Sequence, residues 1–424
     1  MLKESNFWLT TRPQPVFPVM PLPARVEVAV IGAGFSGLSA ALRLARAGCS
    51  VAVLEAQTAG WGASSRNGGM VLTGMKLGVE TLIQKYGLER ARRMFALSLA
   101  AIETVERLVR EENIDCSFSR CGHLEVAWKA SHFEGYARSA ELLEKQFAHQ
   151  VRLLPRAELQ TEIGSELYHG GLLDQLSAGL NPAQFVAGLA GAAARAGALL
   201  HENTTLLQIE RQASGFVLHT NRGFLRADQV FIGTSGYSGP AVPSIQKRII
   251  PIGSYIIASA PLSAELAREI IPHGRMIFDS KHYLYYFRLT PDKRLLFGGR
   301  AAFLPETENS VRDSAPILRQ AMLAVYPRLK DLPLEYVWGG SLDFAIDSLP
   351  HAGLSDGLYH ALGYAGHGVA FATHLGSLLA GQMLGEQIEN PLADLPFQGI
   401  PFYNGRPWFL PFAGLYYKLL DLIS

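Results

Sequence analysis

Between residues 26 and 55 the chain reads VEVAVIGAGFSGLSAALRLARAGCSVAVLE, and no other stretch limits the fold as strongly. Val26 to Ile31 is a β-branched apolar run suited to a buried parallel strand. Gly32, Ala33, Gly34, Phe35, Ser36 and Gly37 follow without a spacer. Apolar residues then recur at helical spacing, Gly48 stops the helix, and Val51 to Leu54 forms a second strand closed by Glu55. Strand, glycine turn, helix, strand and terminal acid together form a dinucleotide-binding unit. Gly32 permits the tight turn, Gly34 lets the backbone approach a pyrophosphate, and Gly37 lets the helix pack against the strand. The helix N-terminus binds the phosphates. Glu55 accepts hydrogen bonds from a ribose hydroxyl and repels a 2′-phosphate, which disfavours NADP and leaves FAD and NAD open.

The rest of the chain has to supply the other domains. At roughly 150 residues per domain, 424 residues suggest two to three. A hydrophobic share of 48% against 18% charged residues suits a globular fold and argues against disorder. Charges cancel to +1, so no global field gathers nucleic acid, and a small molecule is the expected partner. Cys49, Cys116 and Cys121 have neither CxxC nor metal-ligand spacing, and the scattered His123, His282, His351, His360 and His374 likewise suggest no metal site. Reduced thiols and a cytoplasmic setting follow. The first 25 residues hold charges and five prolines without a continuous apolar core, so no signal peptide is read, and no apolar run of 18 residues suggests a spanning helix.

Further along, Leu82 to Glu112, Ala140 to Gln146 and Asn181 to Gly197 read as helices. Thr205 to Glu210, Gly215 to Thr220, Gln229 to Gly233, Arg248 to Ala260, Tyr283 to Leu289 and Arg294 to Gly298 read as strands. Gly60 to Met70 (GWGASSRNGGM) is too rich in Gly and Ser for an element interior and reads as a shaped loop. Gly363 to Val369 (GYAGHGV) is a second glycine turn opening onto a helix. Because one such turn suffices for a pyrophosphate, the second suits the pyrimidine edge of a flavin, where negative charge develops on reduction.

GAGFSGLSAAL at Gly32 to Leu42, VLEA at Val53 to Ala56, GWGASSRNGG at Gly60 to Gly69 and GYAGHGV together resemble the D-amino-acid-oxidase-like family of FAD oxidoreductases. YYFRLTPDKRLLFGGR at Tyr285 to Arg300 and WGGSLDFAIDSLPHAG at Trp338 to Gly353 add weight, and the chain is most similar to the gamma-glutamylputrescine oxidase branch. The resemblance implies an α/β chain in which a Rossmann-like FAD-binding domain of the GR2/DAO type is interleaved with a mixed-sheet α+β substrate domain. The expected FAD-binding segments are 24–80, 150–240 and 335–390, and the substrate segments 81–149 and 241–334. An N-terminal arm (1–23) and an apolar C-terminal tail (391–424) flank them.

It also implies site residues. Gly32, Ala33, Gly34, Phe35, Ser36, Gly37, Glu55 and Ala56 hold the ADP half, with Leu207 and Gly233 flanking the adenine side. Gly62, Ala63, Ser64, Ser65, Asn67, Gly68 and Gly69 line the ribityl-flavin, and Gly363, Gly366, His367, Gly368 and Val369 approach the pyrimidine edge. Tyr285, Tyr286 and Arg288 lie on the strand that covers the substrate face of the flavin in similar enzymes, and strand alternation favours Tyr286 with Arg288. Related sarcosine oxidases attach FAD through a cysteine in the C-terminal third, whereas the last cysteine here is Cys121, so non-covalent FAD is expected. Leu342 stands ahead of Asp343 where many amino-acid-oxidising relatives carry arginine, which shifts the expected substrate toward amines and their conjugates. The implied reaction passes hydride from the carbon beside an amine nitrogen to flavin N5, after which the imine hydrolyses. Dioxygen is the expected acceptor. One alternative sends electrons to a membrane quinone, with the tail Trp408 to Ser424 in the inner-membrane interface. Less favoured are an NAD-dependent dehydrogenase and an idle FAD-binding protein.

Overall fold

Along the first two strands, Arg25–Ile31 and Val51–Leu54, successive side chains alternate between two cores. Val28, Val30, Val51 and Val53 enter a core built with the helices Phe35–Arg46, Leu88–Glu111, Pro182–Arg195 and Gly368–Met383. Ala29, Ile31, Ala52 and Leu54 face the other way, against Phe216 and Leu218 of the strand Phe216–Thr220 and Leu225 and Ala227 of Gly223–Ile232. The first sheet therefore carries helices on one face and a β-hairpin layer on the other. Its parallel strands run in the order Leu358–Leu362, Gly223–Ile232, Arg25–Ile31, Val51–Leu54 and Leu199–His201, with His351–Ser355 antiparallel at the edge. The computed structural model describes residues 2–302, 309–405 and 407–423. Met1, 303–308, Arg406 and Ser424, within the arm, second-domain and tail segments, lie outside the described residues.

A second eight-stranded sheet is mixed, in the order Leu334–Phe344, Ile250–Pro261, Arg294–Ala302, Tyr286–Leu289, Met276–Asp279, His123–Val126, Gly170–Asp174 and Arg152–Pro155. All neighbours are antiparallel except Met276–Asp279 with His123–Val126. One face buries Leu124, Val126, Ile257, Ile277, Phe287 and Phe297 in a separate core. The opposite face looks toward the first sheet's glycine segments.

Pairing moves the expected domain boundaries. Arg152–Pro155 and Gly170–Asp174, placed by sequence in the nucleotide domain, belong to the second sheet, as does the strand Leu334–Phe344. Conversely Leu88–Glu111, placed in the substrate domain, packs its apolar face in the first core. Local apolar pattern marks each element but not the partner it buries against. The Gly60 to Met70 stretch is also not wholly loop, because Ala63–Arg66 makes one helical turn. The strand expected from Tyr283 begins only at Tyr286, since the amides of His282 and Tyr283 donate to the Asp421 carboxylate at 2.8 and 3.0 Å.

The proline-rich arm is anchored. Lys3 bridges to Tyr336, and the short turn Phe7–Thr10 buries Trp8 completely. The tail ends in the helix Leu410–Ile423, on which Phe412, Leu415 and Tyr416 are 70%, 71% and 57% exposed. Among the described residues no helix is long and apolar enough to cross a membrane.

Candidate active site

The first glycine turn is built so tightly that side chains are excluded. Gly32 has φ +97°, and a Cβ there would stand 2.9 Å from the Gly233 carbonyl oxygen; a Cβ on Gly37 would stand 2.0 Å from the Gly32 oxygen. Gly34 caps the helix Phe35–Arg46 without a side-chain hydrogen bond, and the Phe35 amide donates to Ser64 Oγ at 3.0 Å. The helix N-terminus thus meets the Gly60 to Met70 segment directly. Glu55 accepts the Ala33 amide at 2.8 Å and the Gln57 amide at 2.9 Å, while burial raises its pKa. A carboxylate offers about four acceptor positions, so capacity for a ribose hydroxyl remains. Leu207 lies at the rim, 58% exposed, three residues beyond Thr204, whose amide donates to the Glu55 carbonyl at 2.7 Å.

Asn67 shapes the next segment. Its carboxamide donates to the Ala63 and Ser64 carbonyls at 2.9 and 3.2 Å and accepts the Gly69 amide at 2.8 Å. Residues distant in sequence hold the same turn from outside: Asn6 donates to the Ser65 carbonyl at 2.8 Å, Trp8 Nε1 to the Asn67 carbonyl at 2.9 Å and Trp338 Nε1 to the Arg66 carbonyl at 2.9 Å. Sequence reasoning missed these clamps, which leave no local signal.

At the second glycine turn, Asp343 accepts the amides of Gly363 at 2.7 Å and Tyr364 at 3.2 Å. Burial pushes its carboxyl up to about 6. Gly366 follows with φ +92°, and a Cβ there would meet open space. His367 then caps the helix Gly368–Met383, whose first turn has no side-chain cap and no acid. Burial lowers His367 to about 4, so its ring is neutral at pH 7, and among the described residues Nδ1 has no hydrogen-bond partner of normal geometry. Open amides at a helix start, beside a buried polar ring atom left unsatisfied, suit a ligand with acceptor edges. The isoalloxazine edge of FAD fits that requirement, as the first turn fits its pyrophosphate.

The second sheet closes the site. Its register sets Leu172, Glu125, Phe278, Tyr286 and Gly298 in one row across the open face. A Cβ on Gly68 would stand 3.0 Å from the Tyr286 ring, so tyrosine and glycine segment touch. Burial and a Ser254 hydrogen bond leave the Tyr286 hydroxyl at about 12. Arg288, on the same face, donates through one guanidinium nitrogen to the carbonyls of Gly68, Gly69 and Leu180 at 3.4, 2.9 and 3.1 Å. It is buried and ties the glycine segment to the sheet. Tyr285 does not join them: alternation turns it to the opposite face, 5.3 Å from Phe297, with Lys281 4.2 Å above its ring. One group that the sequence reading passed over belongs to the open face. Glu125 is raised to about 7 by burial, against the effects of the Tyr136 hydroxyl and the Lys76 charge. Alternation along HLEV at His123–Val126 was the available signal for Glu125.

Known proteins resemble this chain over most of its length. The sequence model of the family described as "FAD dependent oxidoreductase" (DAO) matches residues 27–382. The chain is 36% identical over 398 residues to a protein named probable oxidoreductase OrdL from Rhizobium meliloti, covering 93% of this chain and 91% of that one. It is 32% identical over 405 residues to gamma-glutamylputrescine oxidoreductase from Escherichia coli, covering 94% and 93% respectively. Among solved structures, glycine oxidase from Geobacillus kaustophilus superposes with a TM-score of 0.74 at 22% identity, over 90% of this chain and 100% of that one.

Proposed function

The chain belongs to the FAD dependent oxidoreductase family, and from that premise we propose that it oxidises the carbon–nitrogen bond of an amine or amino-acid conjugate to an imine, which water then hydrolyses. One observation carries the reading: both glycine-lined helix starts are tied to the second sheet, the one at Gly34 through Ser64 and the segment that runs on to Gly68 against Tyr286, the one at His367 through Asp343 of Leu334–Phe344, which holds the turn before it. Bound FAD supplies the two-electron oxidation. The protein's own work is to hold and orient. Arg288 fixes the Gly68 and Gly69 carbonyls, Asn67 shapes the turn, Asp343 aims the second turn, and Tyr286 forms a wall of the substrate space. An amine reacts in its neutral form, so desolvation beside an apolar and aromatic wall aids the step.

Amine conjugates are favoured over simple α-amino acids because Leu342 stands where the resemblance calls for a carboxylate-binding arginine, and because a 32% identical relative is named for gamma-glutamylputrescine. FAD is proposed to be non-covalent, dioxygen to be the acceptor and the setting to be cytoplasmic. The test is anaerobic addition of gamma-glutamylputrescine, putrescine, 4-methylaminobutanoate and glycine to the purified protein. Flavin bleaching by the conjugate at the lowest concentration is expected, with the colour released by acid precipitation. A colourless protein, or one bleached by none of them, contradicts the proposal.

A second reading sends the electrons to a membrane quinone, and the exposed Phe412, Leu415 and Tyr416 favour it. Co-flotation of the protein with anionic vesicles, lost on deletion of residues after Asn404, supports that reading; absence of flotation removes it.

A further inference from the structure

The last turn of a helix is an unfavourable place for a carboxylate, because the aligned backbone dipoles put partial negative charge there. In the tail helix Leu410–Ile423 the charged residues are Lys418 and Asp421, and Asp421 stands in that last turn. Two successive backbone amides offset the cost: those of His282 and Tyr283 donate to its two oxygens at 2.8 and 3.0 Å. Consecutive N–H groups of a loop form a concave anion site, and here the anion comes from the chain's own end.

The loop that receives Asp421, Ser280 to Tyr285, joins Met276–Asp279 to Tyr286–Leu289. Its other side is fastened inside the second sheet. Ser280 Oγ accepts the Trp128 amide at 3.0 Å and meets His132 Nδ1 at 2.6 Å. Lys281 pairs with Asp279 at 2.9 Å, 4.1 Å from the centre of the Trp128 ring, and Asp279 also accepts the Tyr285 amide at 3.0 Å. His282 and Tyr283 form the tip, and the chain then enters the strand at Tyr286, which packs against Gly68. Before it reaches the loop, the tail is fixed at Tyr403, whose hydroxyl donates to the Ile249 carbonyl at 2.8 Å. Ile250–Pro261 begins there, and the pairings of Gly253 with Ala302 and of Tyr286 with Gly298 set that strand start and the loop at the same end of the sheet. The tail therefore ties two strand ends on the side from which Tyr286 is approached along the chain.

We propose that Asp421 is a positioning residue for substrate binding: by holding the loop from Ser280 to Tyr285 it keeps Tyr286 set as a wall of the substrate space before an amine arrives. Without that hold the loop leaves the set position for part of the time. Binding then has to restore it, so apparent affinity falls with the fraction of molecules that are set, while the rate from the filled site is kept. The inference rests on the amine-oxidising reading above, and backbone exchange tests it apart from that reading.

Hydrogen–deuterium exchange of the FAD-loaded protein, read on overlapping peptides from 280 to 289, is compared for the wild type, Asp421→Ala and Asp421→Glu, alongside anaerobic flavin reduction by gamma-glutamylputrescine. Asp421→Ala is expected to exchange about tenfold faster at His282 and Tyr283, with the increase spreading into Tyr286–Leu289. Its half-saturating amine concentration rises about fivefold while the limiting reduction rate and the flavin-to-protein ratio stay at the wild-type values. Asp421→Glu, which keeps the carboxylate, recovers most of both losses. Faster exchange with unchanged half-saturation overturns the proposal and makes Asp421 a structural contact of the tail. Unchanged exchange overturns it as well, as does an Asp421→Glu variant no better than Asp421→Ala. If no amine bleaches the wild-type flavin, the proposed function falls instead, and exchange alone decides: an increase reaching Tyr286–Leu289 upholds the positioning role, and one confined to His282 and Tyr283 overturns it.

Discussion

Gly37 and Arg288 carry opposite kinds of constraint. A methyl group on Gly37 would overlap the Gly32 oxygen at 2.0 Å, so Gly37→Ala is expected to lose FAD, read as the flavin-to-protein absorbance ratio. A yellow variant with the wild-type ratio contradicts the role of that turn. Arg288→Met leaves the carbonyls of Gly68, Gly69 and Leu180 short of a donor, and about 3 kcal/mol of stability is the expected loss in denaturant unfolding. Unchanged unfolding combined with weaker amine binding would instead make Arg288 a direct substrate ligand. Asp174 sets an acid limit. Burial works against its ionisation, but the His149 hydrogen bond, the charges of His123 and His149 and the Thr73 hydroxyl hold it at about 2. Because the folded value lies below the usual ~3.9 of an unfolded aspartate, its contribution is complete above about pH 4 and fades as pH falls toward 2. Asp174→Asn should flatten stability over that window; an unchanged acid profile contradicts the assignment.

At the scale of elements, the site loop is held by parts the sequence does not connect. Trp8 is fully buried and donates to Asn67, so Trp8→Ala is expected to cost about 3–5 kcal/mol and to loosen FAD, measured by unfolding and by flavin release on dilution. Wild-type flavin retention in that variant would show the arm to be irrelevant to the cradle. The contrast explains what could be read in advance. Val26 to Glu55 was legible because strand, turn, helix and acid are contiguous and each obeys a local rule. Tyr286 and Arg288 were legible as a pair because alternation is also local, and the same rule removed Tyr285. Trp8 and the sheet membership of Arg152–Pro155 were not, since one depends on a contact 59 residues away along the chain and the other on which distant strand pairs with it.

Across the whole molecule, the chain crosses repeatedly between two sheets, and the proposed site lies where their facing surfaces meet. The first sheet supplies glycine turns for a dinucleotide, and the second supplies an aromatic and charged wall. A net charge of +1 leaves selection to local groups and not to a long-range field. Together these surfaces are proposed to oxidise an amine. Stopped-flow mixing of the anaerobic FAD-loaded protein with gamma-glutamylputrescine is the decisive measurement. Full loss of the oxidised flavin band is expected, at a rate that saturates with substrate. A flavin band that persists with this and every other amine offered would contradict it.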